Sequence, residues 1–153
     1  VPESFVAVHL RCKDEDMGGK TTGQVSNQER GNVQRALKCA KRILKSDNVV
    51  FVSCSESGKL KALESANGTG VNVNVANAPA RHVDHDHARV SEEELRRSLW
   101  SDFIVLQQAS GIVFVNGSSG FSRSAASIAF MPADRIMTTS QDSPPCVPFD
   151  PMR

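Results

Sequence analysis

Four short apolar runs, set apart by longer segments of helical period, constrain this chain more than any other feature. Phe5 to Leu10, Val49 to Val52, the alternation Val71, Val73, Val75, and Gly111 to Val115 each have strand length and are rich in β-branched side chains. Between the first two, Ser26 with Glu29 forms a capping-box signal. Val33, Ala36, Leu37, Ala40, Ile43 and Leu44 follow it at helical spacing, toward an end near Ser46-Asp47-Asn48. A short helix is expected from Lys59 to Ala66, broken by Asn67-Gly68. A longer one opens at a second capping box, Ser91 with Glu94, and runs to about Ala109. A small-residue helix spans Phe121 to Phe130. The order β-α-β-α-β-α-β-α predicts an α/β, Rossmann-like parallel sheet with helices on both faces.

A continuous apolar strand such as Val49-Val50-Phe51-Val52 is the kind that a parallel sheet buries on both faces. One domain is expected over residues 1–135. The remaining 136–153, with Pro144, Pro145, Pro148 and Pro151, reads as a tail without regular structure. The chain has 153 residues, enough for a single domain with a sizeable core. Its 18 Lys and Arg against 17 Asp and Glu argue against a polyanion binder, so no nucleic-acid partner is expected. No run nears the roughly 20 apolar residues needed to span a bilayer, so no membrane segment is expected. Val1 opens near a strand, which does not resemble a signal peptide, and with no initiator Met a processed or excised piece is the expectation. Cys12, Cys39, Cys54 and Cys146 contain no CxxC pair, which removes finger-type metal sites and a dense disulfide framework. Buried reduced thiols are the expectation, with one structural disulfide as the alternative in an oxidising compartment.

In parallel α/β sheets ligands bind at the carboxyl ends of the strands, near a topological switch point. His9, Arg11 and Asp14 stand at that end of the first strand, in Val6-Ala7-Val8-His9-Leu10-Arg11-Cys12-Lys13-Asp14. The fourth strand runs into Asn116-Gly117-Ser118-Ser119-Gly120-Phe121-Ser122-Arg123. There the glycines allow close backbone approach, and the unpaired N–H groups of the next helix favour an anion. Ser118, Ser119 and Ser122 add hydroxyl donors suited to phosphate oxygens, and the backbone at Gly120 is a further candidate contact. The plain alternative is a strand-helix turn with Ser as N-cap. Arg11 is suited to bidentate phosphate binding, against an alternative surface ion pair with Asp14 or Asp16. His82, His85 and His87, interleaved with Asp84 and Asp86, have the chemistry of transition-metal ligands. With no fourth ligand placed, a solvated loop is preferred and no metal is assigned. Asn67-Gly68-Thr69 and Asn116-Gly117-Ser118 match the N-glycosylation pattern. The second lies in the proposed ligand loop and is read as unmodified.

"VHLRCKD" resembles the His-x-Arg-x-x-Asp motif of the fucosyltransferase superfamily, which includes α-1,6-fucosyltransferases, bacterial nodulation fucosyltransferases and protein O-fucosyltransferases. "VVFVSCSES" and "SLWSDFIVLQQASGIVFVNGSSGFSRSAASIA" are similar to that group's later motifs, in the same order. The resemblance implies the carboxyl-terminal, GDP-sugar-binding half of a GT-B enzyme that transfers fucose from GDP-fucose, with inversion, to a glycan or protein acceptor. It implies that Arg11 is catalytic, contacting the β-phosphate and stabilising the departing diphosphate. It places His9 and Asp102 near the guanine or ribose, and Ser118 and Ser119 on phosphate oxygens. No metal or other cofactor is implied. Positive charge on the leaving GDP takes the place of a divalent ion. The chain departs from the pattern at Gly18 and Gly19, where the α-1,6 enzymes carry a catalytic carboxylate, and at Ser55-Glu56, where an acidic pair is usual. The resemblance further implies a missing N-terminal acceptor domain, little transfer by this chain alone, and the Golgi or ER lumen if the protein is eukaryotic. The rival readings are a non-catalytic Rossmann-like nucleotide-binding or interaction module and, more weakly, a metal-binding protein built on the histidine cluster.

Overall fold

A computed structural model of the chain describes residues 4–10, 27–53, 56–76, 91–115, 120–139 and 146–149. Strands β1 (Val6–Leu10), β2 (Asn48–Ser53), β3 (Asn72–Val75), β4 (Gly111–Val115), β5 (Ile136–Thr139) and β6 (Cys146–Pro148) form one sheet in the order β3-β2-β1-β4-β5-β6. The first four neighbouring pairs in that order are parallel, and β6 closes the edge antiparallel to β5. Helices α1 (Asn27–Arg42), α2 (Glu56–Ala66), α3 (Glu92–Gln108) and α4 (Gly120–Ile128) alternate with the strands, and the turn Ala133–Arg135 leads into β5. The expected α/β, Rossmann-like architecture is what the chain adopts.

The strands' alternation divides the core into two layers. Val6, Val8 and Leu10 of β1 pack with Val49, Phe51, Val113 and Val115 beneath α1 and α2, through Val33, Leu37 and Ala62. Ala7, Val50, Val52, Ile112 and Phe114 face the other way, onto Leu106 of α3 and Ala125 and Ala126 of α4. Both faces are therefore largely apolar, which is why β1, β2 and β4 read as near-continuous hydrophobic runs. α3 begins where its sequence predicts: the Ser91 hydroxyl accepts a hydrogen bond from the Glu94 N–H at 3.2 Å, and Glu92 to Glu94 complement the helix dipole. Of the corresponding signal at Ser26 and Glu29, Ser26 lies outside the described residues.

Two expectations need correction. Residues 136–139 and 146–148 are not tail: they supply β5 and β6 and extend the sheet by two strands. Pro148 is compatible with this because it lies at the last position of an edge strand, where a missing N–H is tolerated. The reduced-thiol expectation fails for one pair, since Cys39 of α1 and Cys146 of β6 form a disulfide with Cα atoms 5.8 Å apart. A separation of 107 residues hides this adjacency in the sequence, and the fold creates it by laying α1 over the β4–β5–β6 side. Cys12 and Cys54 lie outside the described residues.

The amino-terminal edge of the sheet is tied shut. The Ser110 N–H and hydroxyl both donate to the Phe5 carbonyl at 2.8 Å. The Arg135 guanidinium donates to the Ser110 carbonyl at 2.8 Å and to the Leu44 carbonyl at 3.4 Å. These bonds join the entries to β1, β4 and β5.

Candidate functional site at the carboxyl edge

The switch in strand order falls between β1 and β4. From β1 the chain winds outward through β2 to β3, then crosses back to place β4 on the other side of β1. The two strands end level: His9 is in register with Phe114, and Leu10 with Val115. Helices covering opposite sides diverge at such a point, which is where ligands bind in sheets of this class.

His9 points to the α3–α4 side, as strand alternation requires of a residue in phase with Ala7 and in register with Val52 and Phe114. It is 7% exposed, as is Asp102 on α3. Asp102 belongs to the inward stripe Leu95, Ser98, Asp102, Leu106, whose last member is in the same core layer. Ser122, in the first turns of α4, is fully buried. One layer therefore carries a buried imidazole, a buried carboxylate and two buried hydroxyls, and each of the four residues is engaged by another group. Desolvating a carboxylate is costly unless polar partners compensate, and Asp102 is buried with such a partner. On the other face, Ser53 ends β2 fully buried, and Lys59 is 5% exposed at the start of α2.

The candidate contacts divide cleanly. His9, Asp102 and Gly120 are described: the first two are buried in one layer, and Gly120 is the exposed first residue of α4, with nothing within 4 Å of where a Cβ would lie. Arg11 follows Leu10 by one residue, and Ser118 and Ser119 lie in the four-residue link between Val115 and Gly120. Arg11, Asp14, Ser118 and Ser119 are themselves outside the described residues, as are His82, His85 and His87. Among the described residues no cluster of three His, Cys, Asp or Glu side chains could hold a metal ion. No described helix is long and apolar enough to cross a membrane. Sequence reading named Ser122 as a hydroxyl donor but missed Ser98 and Lys59. The signal available was positional, a polar residue on an otherwise inward helical stripe.

The sequence matches no family model and no curated protein.

Proposed function

We propose that the chain is the nucleotide-sugar-binding domain of a fucosyltransferase-like glycosyltransferase, holding GDP-fucose at the β1–β4 switch point. The observation that carries this reading is the pairing of Leu10 with Val115. It sets the ends of β1 and β4 side by side, and Arg11 comes next in sequence after the first while Ser118 and Ser119 follow the second by three and four residues. A pyrophosphate between them would meet a guanidinium from one segment and hydroxyls and helix N–H groups from the other. The buried His9 and Asp102 lie in the adjoining layer, where a base or ribose hydroxyl would need polar partners. The resemblance of "VHLRCKD" and of the segment around Asp102 and Ser118 to the superfamily's motifs supports the same assignment.

In this role Arg11 stabilises charge developing on the diphosphate as the fucosyl bond breaks, an electrostatic contribution that requires no metal ion. The acceptor, a glycan or protein, is bound by a second GT-B domain across the crevice, and transfer inverts the anomeric carbon. The Cys39–Cys146 disulfide fits folding in an oxidising compartment such as the ER or Golgi lumen.

Calorimetric titration with GDP tests the reading. Removing a charge-assisted phosphate contact costs about 1.5–3 kcal/mol, so Arg11→Ala should weaken GDP by about tenfold to a hundredfold with the melting temperature unchanged. GDP binding that is indifferent to Arg11 would exclude the assignment and leave a non-catalytic Rossmann-like module.

A further inference from the structure

The face of the sheet beyond α4 carries a cleft that the donor site does not use. Its volume is about 270 Å³, and Phe114, Ala126, Met131, Ile136 and Phe149 line it together with Arg123. The floor is aromatic, with the Phe114 and Phe149 rings edge to face at 5.0 Å. Arg123 is exposed on α4, and its guanidinium stands 6.0 Å from the Phe149 ring centroid. No described carboxylate forms an ion pair with it, whereas the arginines at 30, 96 and 97 all have acidic partners. An apolar hollow whose rim carries, among the described residues, one cation without a carboxylate partner is complementary to a flat apolar body bearing a single anion.

The wall formed by Phe149 is held in place. Its N–H donates to the Ile136 carbonyl at 2.8 Å, and the strand leading to it begins at the disulfide-bonded Cys146. The cleft is therefore fixed by covalent and backbone links rather than by side-chain packing alone. Its size lies just below the roughly 300–1,000 Å³ of sites for drug-sized ligands, which suits a compound of one or two fused rings.

We propose that this cleft binds an aromatic carboxylate, with the ring against Phe114 and Phe149 and the carboxylate on Arg123. The site is separate from the β1–β4 switch point but borders it through Phe114, the register partner of His9. A bound ring would therefore rest against a residue in the same layer as the buried His9.

The test is titration of the full chain with 2-naphthoate, followed by amide and methyl chemical shifts, beside the neutral analogue 2-naphthylmethanol. Shifts should centre on Phe114, Ala126, Ile136 and Phe149. Arg123→Gln and the neutral analogue should each weaken binding by about tenfold or more, the value of one charge-assisted contact. Because Arg123 is exposed, the variant should retain the wild-type melting temperature. Binding unchanged in Arg123→Gln, no binding at about 2 mM, equivalent to less than roughly 4 kcal/mol, or competitive displacement by GDP would each overturn the proposal.

Discussion

Phe130 follows α4 with φ at 51°, and its side chain is 92% exposed. The surrounding hydrogen bonds define a Schellman turn: the Met131 N–H reaches the Ala126 carbonyl at 3.0 Å, and the Phe130 N–H reaches the Ser127 carbonyl at 3.1 Å. That position favours glycine, because a Cβ in the left-handed region meets the following carbonyl. Nothing buried would be lost on replacing the ring. Phe130→Gly should therefore raise stability by about 0.5–1 kcal/mol, after allowing for the freer unfolded glycine. Urea denaturation checks this, and a lowered midpoint would show that the ring has a packing role. The sequence reads Phe121 to Phe130 as one helix because phenylalanine gives no left-handed signal. His9 and Asp102 were legible as candidates, but their burial was not. Burial depends on which helical stripe faces inward, and Asp102 sits on that stripe between Leu95 and Leu106.

At the scale of elements, the first four strands and the helices between them could be read from periodicity, because each buries a face that needs apolar residues at regular intervals. β5 and β6 could not. β5 is four residues long with only Met137 buried, and β6 is three residues long and ends in proline. Their stability comes from being fastened to the sheet, chiefly by pairing with β4 and by the disulfide from α1. Closing a loop of this length lowers the entropy of the unfolded chain, with a typical benefit of about 2–4 kcal/mol. A Cys39→Ser/Cys146→Ser double variant should lose that amount in urea unfolding and should release β6 first, seen as faster amide exchange at Val147 and Phe149. An unchanged midpoint with wild-type exchange at both amides would show that the edge strand holds without its covalent tie.

Across the whole molecule the two edges of the sheet have different chemistry. The amino edge is closed by Ser110 and Arg135 and leaves little room: a Cβ on Gly111 would come within 3.0 Å of both the Arg135 carbonyl oxygen and Leu44 Cδ1. Gly111→Ala should cost about 1–3 kcal/mol of stability through overpacking while leaving GDP affinity unchanged, which thermal unfolding and calorimetry measure together. The carboxyl edge instead releases two strand ends beside each other at the switch in strand order. That division was legible in outline, since the order of elements predicts a parallel sheet and a parallel sheet predicts where ligands bind. The strand order itself was not legible, because pairing between β1 and β4 joins residues separated by two intervening strands and no local pattern records it.

The central claim is that a guanosine diphosphate sits at this junction. Amide chemical shifts recorded during GDP titration test it most directly. The account predicts the largest changes at His9, Leu10, Val115 and Gly120 to Ser122, with β3 and the amino-edge residues Ser110 and Arg135 unaffected. Changes centred elsewhere, or none at about 5 mM GDP, a concentration that detects affinities as weak as roughly 3–4 kcal/mol, would contradict it.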